Sequence, residues 1–591
     1  MTNSSIKIKV CLGTSGRASG GEDVLNLFRQ FVSERGIEAQ VGRKCELTKV
    51  GCRGFCSKDV LVDVVMDGAK TTYQSVVPIM VERIVQDHIV GGNPIAEWTT
   101  REDYTAFHAK QHKIVLGPCG EIDPDSIDDY LAMNGYRAAR KAITKMMPDR
   151  VIDEIAKSGL RGRGGSGFLT GEKWRICSVQ ERSPKYIVCN VGEVNRPLAE
   201  GNPHAIVEGL LIGGYAIGAT KGFLYIRERY HVSVERLGNA LAQARERQFI
   251  GTNIFGSGFD FEIEFSFGTE AFICGEETAL MESIEGKRAM PRLRPPFPAI
   301  AGLWGMPTVI NNAETFSNIP IIVGRGAAWY SSIGTDESKG TKVFTLSGKV
   351  KNNGLVEIPM GMSLRDIVYG IGGGIEGGIE GDKELKAIQV GGPSGGIIPP
   401  SMIDMGLDYE SLRKVGSIVG SGGMLVFDED DCMVSVTKFF MEFLQRESCG
   451  KCTPCRIGTK RMLELLTKIT EGKGEDNDLK ILERLSGVMA ATSICGLGRT
   501  APNPFITSFN HFRDEYLAHI RDKKCPAGVC TALITFTVIE DRCKACGLCR
   551  RACPADAITG APKKVHIIDT ARCVKCGACY KACKFKAIKK Q

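Results

Sequence analysis

The 591-residue sequence lacks any apolar run near the roughly 20 residues that a helix needs to cross a bilayer. Its best candidate, residues 210–219, has about half that length and is rich in glycine. No signal pattern of charged, apolar and small residues precedes Cys11, so we expect neither an export leader nor a transmembrane segment. The polar bias of a disordered chain is also missing: 43% of the residues are apolar, which indicates several packed globular domains.

The 23 cysteines do not have the even scatter of a small disulfide-rich secreted chain. Many of them fall in tight groups, which indicates metal ligands rather than disulfides. Since thiols stay reduced in the cytosol, we expect a reducing compartment and a cytoplasmic protein.

Two runs near the carboxyl end have the spacing of iron–sulfur ligands. Each has three cysteines three residues apart and a fourth four residues later: Cys543, Cys546, Cys549 and Cys553, then Cys573, Cys576, Cys579 and Cys583. The first three thiolates of a run can hold one cuboidal cluster, while the fourth serves the other. In bacterial two-cluster ferredoxins, which the segment resembles, Cys583 would complete the first set and Cys553 the second. We expect two [4Fe–4S] clusters; zinc sites usually have two CxxC pairs and a longer loop.

Other cysteines predict two further metal sites. Three at the same spacing are joined by a remote fourth, which predicts a third [4Fe–4S] cluster held by Cys449, Cys452, Cys455 and Cys495. Cys525 and Cys530 are only two ligands. They predict either a structural zinc or iron site completed by His566 or another thiol, or two free buried thiols.

The net charge of +8 does not indicate nucleic-acid binding. Part of it lies beside the carboxyl-terminal cysteines, where clusters and thiolates are anionic. We interpret it as charge compensation, or as a docking surface for acidic redox partners such as a ferredoxin. The lysines concerned are Lys563, Lys564, Lys584, Lys586, Lys589 and Lys590.

The first 90 residues read as a small α/β unit, with strand patterns at 6–12 and 60–66 around an amphipathic helix. The unit resembles thioredoxin-like [2Fe–2S] ferredoxins, whose ligands are two cysteines on the first loop and a CxxxC pair. Cys52 and Cys56 supply the pair and Cys11 one more; Ser15 and Gly16 stand where the family has the fourth. Either Cys45 replaces that ligand or the unit is a clusterless docking domain.

A glycine-rich turn at residues 159–174 offers backbone amides to an anion, with cations at Arg163 and Lys173. It is not a Walker A loop, because no GK[ST] closes it, and no buried strand precedes it as in a dinucleotide fingerprint. Four more segments, at 185–193, 270–280, 292–298 and 307–315, accompany it.

Together these segments resemble the NADH-binding flavoprotein subunit of respiratory complex I. In layout the chain is closest to the β subunit of soluble multimeric NAD(P)-linked hydrogenases and electron-bifurcating complexes. The resemblance implies FMN and NAD(H) as cofactors. It implies FMN contacts from Gly162, Arg163, Gly164, Gly165, Lys173, Asn190, Glu193, Gly275, Glu276, Asn311 and Asn312.

The NAD(H) side departs from the family pattern. The loop after Asn190 is about six residues shorter than in the family, and Gly192 replaces an acidic residue. Ile176 and Phe272 stand where the family has a phenylalanine and a tyrosine. The resemblance leaves Phe168 and Phe297 to stack on NAD(H), and Glu277 and Arg294 as its polar contacts.

We therefore expect a multidomain α/β and α+β protein. Its predicted parts are a thioredoxin-like domain (1–90), a wrapping linker (91–150), a Rossmann-like FMN and NAD(H) domain (151–325), a β-grasp domain of SLBB type (326–425), a helical-bundle [4Fe–4S] domain (426–522) and a two-cluster ferredoxin-like domain (523–591).

The predicted function is electron transfer between NAD(H) and a partner enzyme through FMN and iron–sulfur clusters. The resemblance implies a hetero-oligomer with a thioredoxin-like [2Fe–2S] subunit and a catalytic hydrogenase or reductase subunit. Two alternatives stay open: an NADH-independent relay, as in a benzoyl-CoA reductase type of complex, or a scaffold with a degenerate flavin site.

Overall fold

A computed structural model describes residues 5–33, 36–377, 383–561 and 563–590. The end of the glycine-rich run at 370–381 lies outside them. The chain folds as two compact units. The first comprises Met1–Asp382, Gln389–Gly392 and Ser401–Val426, and the second Lys383–Ile388, Pro393–Pro400 and Phe427–Gln591. Each described helix is too short or too polar to cross a lipid bilayer.

The first unit begins with a four-stranded sheet of order β2-β1-β3-β4. β1 is parallel to β2 and antiparallel to β3, which is antiparallel to β4. Alternation in β1 buries Ile6, Ile8 and Val10 against apolar residues of α2, including Phe28. The elements are β1 (Ile6–Cys11), α1 (Thr14–Ala18), α2 (Gly21–Ser33), α3 (Ile37–Val41), β2 (Cys45–Val50), β3 (Val62–Met66), β4 (Ala69–Tyr73) and α4 (Pro78–Arg83).

The segment predicted as a linker is fastened by two buried carboxylates. Glu357 accepts the N–H groups of residues 114–116, and Glu208 accepts the Tyr130 hydroxyl and the N–H groups of Tyr136 and Ala139. Burial raises the pKa of Glu357 to about 6, although the hydrogen bonds from the Thr341 hydroxyl and from the N–H groups of residues 114–116 oppose this rise. The segment also adds apolar residues to the central core. Its helices are α5 (Glu102–Ala109), α6 (Ile127–Ala132) and α7 (Arg137–Lys145), and α8 (Pro148–Lys157) begins at its end.

The centre of the first unit is a parallel sheet of order β7-β6-β5-β8, covered by helices. The almost wholly buried helix α11 packs beside α14, as expected where helices cover a parallel sheet. The elements are α9 (Thr170–Ser178), β5 (Tyr186–Val191), α10 (Arg196–Gly201), α11 (Pro203–Ile217), β6 (Lys221–Arg227), α12 (His231–Glu246), β7 (Glu262–Gly268), α13 (Glu277–Ile284), β8 (Thr308–Asn312), α14 (Ala313–Arg325) and α15 (Ala327–Ser331).

A second sheet follows, in which β9 is antiparallel to β10 and parallel to β13. Lys342 and Glu314, both fully buried, form an ion pair of 2.5 Å, and Glu314 also accepts the Val343 N–H. The elements are β9 (Thr341–Gly348), β10 (Gly354–Pro359), β11 (Leu385–Val390), β12 (Gly396–Ile398), α16 (Tyr409–Lys414) and β13 (Gly423–Asp428).

Most of the second unit is a bundle of helices followed by a small tail of short strands and turns. In the tail β14 pairs with β17 and β15 with β16, both antiparallel. The bundle helices are α17 (Met433–Arg446), α18 (Thr453–Thr470), α19 (Asp476–Thr492), α20 (Gly496–Thr500), α21 (Asn503–His511) and α22 (Arg513–Ile520). The tail contains β14 (Phe536–Val538), α23 (Leu548–Arg551), β15 (Ile558–Thr559), β16 (Ile567–Ile568), α24 (Ala578–Ala582) and β17 (Ile588–Lys590).

Candidate functional site

A candidate cofactor cleft lies at the carboxyl end of the parallel sheet. β5 lies between β6 and β8, so the order of the strands reverses at this point. Open α/β sheets bind nucleotides outside such a reversal. Asn190, near the end of β5, is paired with Asn312, the last residue of β8. The sheet therefore brings together two predicted flavin ligands that are far apart in the sequence.

The glycine-rich loop is fixed against this end of the sheet. The Gly162 N–H donates to the Phe168 carbonyl at 2.8 Å, and the Tyr409 hydroxyl donates to the Gly162 carbonyl at 2.9 Å. A Cβ on Gly164 would come 3.3 Å from the Asn312 Cβ. Gly165 has φ +124°, and a Cβ there would lie 3.1 Å from the backbone of Gly420. A side chain at either glycine would crowd the loop, and at Gly165 it would also be strained.

Arg163 does not offer its charge to the cleft, so the prediction that it does is wrong. The side chain is fully buried, and the guanidinium donates to the Lys339 carbonyl at 2.6 Å and to the Tyr330 hydroxyl at 3.0 Å. The Arg163 N–H donates to the Thr315 hydroxyl at 2.9 Å. Arg163 therefore holds the loop to its surroundings, because a buried cation needs polar partners.

Of the two cations predicted for the glycine-rich turn, Lys173 is the one that the structure places at the cleft. Its Nζ lies 3.3 Å from Glu277 and donates to the Ile310 carbonyl of β8 at 3.1 Å. Glu277 also pairs with Arg294 at 2.7 Å, and Arg294 lies 3.4 Å from Glu276. Side chains of alternating charge thus line one side of the cleft. A ligand group that pairs with one of these side chains would release the side chain that it now contacts.

The rest of the rim combines open space with exposed rings. Gly275 has nothing within 4 Å of the position that a Cβ would take, while Glu276 caps α13 by accepting the N–H groups of Thr278 and Ala279. Phe168 and Phe297 are 46% and 54% exposed. Exposed aromatic faces beside charged groups suit a planar, partly apolar ligand. Glu193 is exposed and Asn311 is buried, where it accepts a hydrogen bond from Trp174.

Asn195 is a cleft residue that the sequence patterns did not reveal. It lies in the shortened loop, is 1% exposed, and accepts a hydrogen bond from the Asn312 amide at 2.5 Å. Its own amide nitrogen is buried and has no hydrogen-bond partner among the described residues. A buried donor without a partner costs free energy, so a ligand oxygen at this place would satisfy it.

In the helical bundle, Cys455 interacts electrostatically with the other three predicted ligands, Cys449, Cys452 and Cys495. Cys452 and Cys495 are the residues immediately before α18 and α20, where helix dipoles favour thiolates. Burial and the neighbouring thiols, opposed by the Ser448 hydroxyl, raise the pKa of Cys455 to about 11. A metal must displace that proton to bind, as thiolate ligation generally requires.

The eight tail cysteines line two cavities. The first is bordered by Cys543, Cys546, Cys549 and Cys583, and the second by Cys553, Cys573, Cys576 and Cys579. Neither set brings three ligand atoms within 4.8 Å of one another in the described chain. Such spread suits a cuboidal cluster better than a single ion. His566 borders the first cavity, with Nδ1 4.0 Å from the Cys543 Sγ.

One buried group of potential metal ligands in the second unit is compact rather than spread around a cavity. The ligand atoms of Cys432, His519, Cys525 and Cys530 all lie within 4.8 Å of one another. Cys432 Sγ is 3.8 Å from Cys530 Sγ, and His519 Nε2 is 3.4 and 3.3 Å from these two sulfurs. Tetrahedral bonds of about 2.0–2.3 Å to one zinc ion give similar separations.

The surroundings of this four-residue group also fit a metal site. His519 Nδ1 lies 2.7 Å from the Glu515 carbonyl, an arrangement that leaves Nε2 to face the thiols. The N–H groups of Val529 and Cys530 donate to Cys525 Sγ. Of the two completions predicted for a metal site at Cys525 and Cys530, His566 is wrong, since it borders the first tail cavity. The other thiol that folding brings to them is Cys432.

In the amino-terminal sheet, Cys52 and Cys56 are adjacent, with their sulfurs 3.5 Å apart. Cys11 ends β1 and its thiol donates to the carbonyl of Gly51 at 3.6 Å, so it lies beside the pair. Cys45 does not join them. It is paired with Ile6, whereas Cys11 is paired with Val50 at the other end of the same two strands. Five residues of strand, about 17 Å, separate the two cysteines, so Cys45 as fourth ligand is wrong.

Family models match four regions of the chain. They are the Nuo51 FMN-binding domain over residues 155–321, the SLBB domain over 343–398, the NADH-ubiquinone oxidoreductase-F iron–sulfur binding region over 435–519, and the 4Fe–4S binding domain over 536–559 and 566–589. These matches bear out the presence of an FMN-binding domain, an SLBB domain and 4Fe–4S domains in this chain; the predicted domain bounds stay predictions.

Relatives extend the match to most of the chain. The second F-type subunit of the NADH-quinone oxidoreductase of Rhizobium meliloti (strain 1021) is 44% identical over 68% of this chain and 96% of that protein. This chain belongs to the NADH-quinone oxidoreductase-F family. NADP-reducing hydrogenase subunit HndC of Solidesulfovibrio fructosivorans is 54% identical over 82% of this chain and 99% of its own. The crystal structure of an NAD⁺-reducing [NiFe]-hydrogenase in the H₂-reduced state has a TM-score of 0.62 at 28% identity, covering 87% of this chain and 84% of the other.

For a member of the oxidoreductase-F family, the cleft residues fit FMN. The unpartnered Asn195 amide, the open space at Gly275 and the exposed rings accommodate a ligand with polar atoms and a planar ring system. Sequence reasoning missed Asn195, Cys432 and His519. For Cys432 and His519 the signal available was weak: Cys432 precedes α17 and His519 lies in α22, and neither belongs to a cysteine-rich run.

Proposed function

We propose that this oxidoreductase-F family member exchanges electrons between NAD(H) or NADP(H) and its own iron–sulfur clusters through bound FMN. A bound FMN would exchange two electrons with a nicotinamide and single electrons with clusters. The observation that carries the proposal is the cleft at the strand reversal, where Asn190, Asn195, Asn312 and Lys173 converge in a chain that also holds three sets of four cluster-type cysteines.

The chain's own residues would position the two cofactors. Asn190, Asn195, Asn312 and Lys173 would hold FMN, together with the amides of the glycine-rich loop. Phe168 and Phe297 would stack on NAD(H), with Glu277 and Arg294 as polar contacts. Arg163 would act only by keeping the loop in shape. The clusters proposed are three [4Fe–4S], with a [2Fe–2S] cluster in a thioredoxin-like amino-terminal domain.

We also propose that Cys432, His519, Cys525 and Cys530 bind one structural zinc ion. All four ligand positions come from the protein, as in structural rather than catalytic zinc sites. We propose hetero-oligomeric partners of three kinds: a thioredoxin-like [2Fe–2S] subunit, a catalytic hydrogenase or reductase subunit, and a ferredoxin as electron carrier. The named relatives are subunits of a hydrogenase and of a quinone oxidoreductase, which supports such an assembly. We propose a cytoplasmic location because clustered thiol ligands need a reducing compartment.

The test is an anaerobic titration of the purified complex with NADH and, separately, NADPH. We expect the flavin absorption band to bleach and the cluster bands to follow. A flavin that dithionite reduces but neither nucleotide reduces would overturn the proposal in favour of an NADH-independent relay. A complex that never contains flavin would indicate a scaffold.

A further inference from the structure

The amino-terminal thiols form an incomplete ligand set. Cys11, Cys52 and Cys56 lie together, but the register of β1 and β2 removes Cys45. A [2Fe–2S] cluster needs four protein ligands, two on each iron. A fourth group must therefore come from somewhere else in the domain, or the cluster is absent.

Asp59 is the group that the fold brings to this place. Its carboxylate and the sulfurs of Cys52 and Cys56 all lie within 4.8 Å of one another. The carboxylate also interacts with the Cys11 thiol and with the Ser15 hydroxyl. One of its oxygens, Oδ2, is buried and has no hydrogen-bond partner in the described part of the chain. Asp59 thus lies close to Cys52 and Cys56, interacts with Cys11, and has a buried oxygen that a metal could satisfy.

The surroundings compensate an additional negative ligand. Arg53, 5% exposed, pairs directly with the buried Asp63 at 2.5 Å and also interacts electrostatically with both Cys11 and Asp59. Lys113 interacts with Cys52 and donates to the Arg53 carbonyl at 3.1 Å. Buried anions need such partners, and an anionic oxygen ligand suits iron.

We propose that Cys11, Cys52, Cys56 and Asp59 ligate a [2Fe–2S] cluster, with Asp59 in place of the usual fourth cysteine. The inference rests on the amino-terminal cluster of the proposed function and specifies its ligand set. Ser15 is assigned the position of a hydrogen-bond donor to Asp59 rather than that of a ligand.

The test uses the full chain, reduced anaerobically with dithionite. Electron paramagnetic resonance is recorded at a temperature where [2Fe–2S] signals persist and the faster-relaxing [4Fe–4S] signals have broadened away. The wild type should show one such signal. Asp59→Ala should reduce its intensity at least about tenfold, as expected for loss of a metal-binding group. Asp59→Cys should keep the signal, with shifted g values and stronger visible absorption, because a sulfur ligand replaces oxygen.

Two matched variants distinguish ligation by Asp59 from ligation by Ser15 or Cys45. Ser15→Ala and Cys45→Ser should each keep the wild-type signal intensity. A signal that survives unchanged in Asp59→Ala, or that disappears in Ser15→Ala, would overturn the assignment. So would a wild type that shows the [4Fe–4S] signals and nucleotide bleaching but no [2Fe–2S] signal. Failure of nucleotide bleaching with the [2Fe–2S] signal present would instead overturn the proposed function and leave this assignment standing.

Discussion

The eight tail cysteines and the Cys432 group, which consists of Cys432, His519, Cys525 and Cys530, are both thiol sites of the second unit. They differ in how far apart their ligands lie in the sequence. Each tail set takes three ligands from a single run, and the ligand atoms stay apart around a cavity. The Cys432 group takes its ligands from the start of α17, from α22 and from the segment after it, and brings them within 4.8 Å.

This difference decides what each site can hold. Local spacing sets the span of a cuboidal cluster, whereas a single ion needs four ligands at contact distance. The flavin cleft resembles the Cys432 group in this respect, because its residues meet only through the sheet. Variants can test both kinds of site: those whose ligands come from a single run of sequence, and those whose ligands come together only on folding.

The largest effect is expected when serine replaces Cys583 or Cys553, the tail cysteines that each serve the cluster of the other run. Cys583→Ser should remove the same cluster as Cys543→Ser, and Cys553→Ser the same cluster as Cys573→Ser. Each variant should lose about four irons per chain, because a [4Fe–4S] cluster needs its full ligand set. Iron analysis and low-temperature electron paramagnetic resonance provide the measurement. If Cys583→Ser instead matched Cys573→Ser, the ligand sets derived from the two cavities would be wrong.

The next largest effect is a loss of zinc from the Cys432 group. Cys432→Ser should lower the zinc content from about one ion per chain towards zero, and should lower the thermal midpoint of the second unit, because structural zinc contributes folding free energy directly. Elemental analysis and calorimetry measure the two effects. Cys177→Ser, a buried thiol outside the group, is the matched control and should keep the zinc. Equal zinc in both variants would contradict the site.

At the cleft, Asn195→Leu should weaken FMN binding by about 1–3 kcal/mol, a factor of roughly 5 to 150, because it removes a buried amide that the ligand would satisfy. Fluorescence titration of flavin-free protein measures the affinity. Asn26→Leu, at an exposed position of α2, should leave it unchanged. An unchanged affinity in Asn195→Leu would show that the shortened loop takes no part in flavin binding.

The smallest effect is expected at the aromatic rim. Phe297→Leu should raise the KM for NADH by roughly 2- to 12-fold with little change in kcat, since a stacked ring contributes about 0.5–1.5 kcal/mol. Steady-state kinetics with an artificial acceptor measure both constants. Phe439→Leu, an exposed ring on α17, serves as control. A fall in kcat at constant KM would assign Phe297 to the reaction rather than to binding.

Family membership and most of the proposed metal ligands could be predicted from local patterns in the chain. CxxCxxC runs predict clusters because consecutive thiolates at that spacing reach one cluster without help from distant segments. The glycine-rich loop and the paired asparagines were recognisable for the same reason: each is a short stretch with a local pattern.

Other features depend on folding, because the contacts concerned join distant segments. Arg163 looks like an anion-binding cation, but the packing of Tyr330 and Lys339 around it turns it inward. Cys45 looks like a spare ligand, and the parallel register of β1 and β2 removes it. Cys432 and His519 look isolated until the bundle folds around Cys525 and Cys530. A side chain's neighbours across such distances follow from strand register and helix packing, which local spacing does not specify.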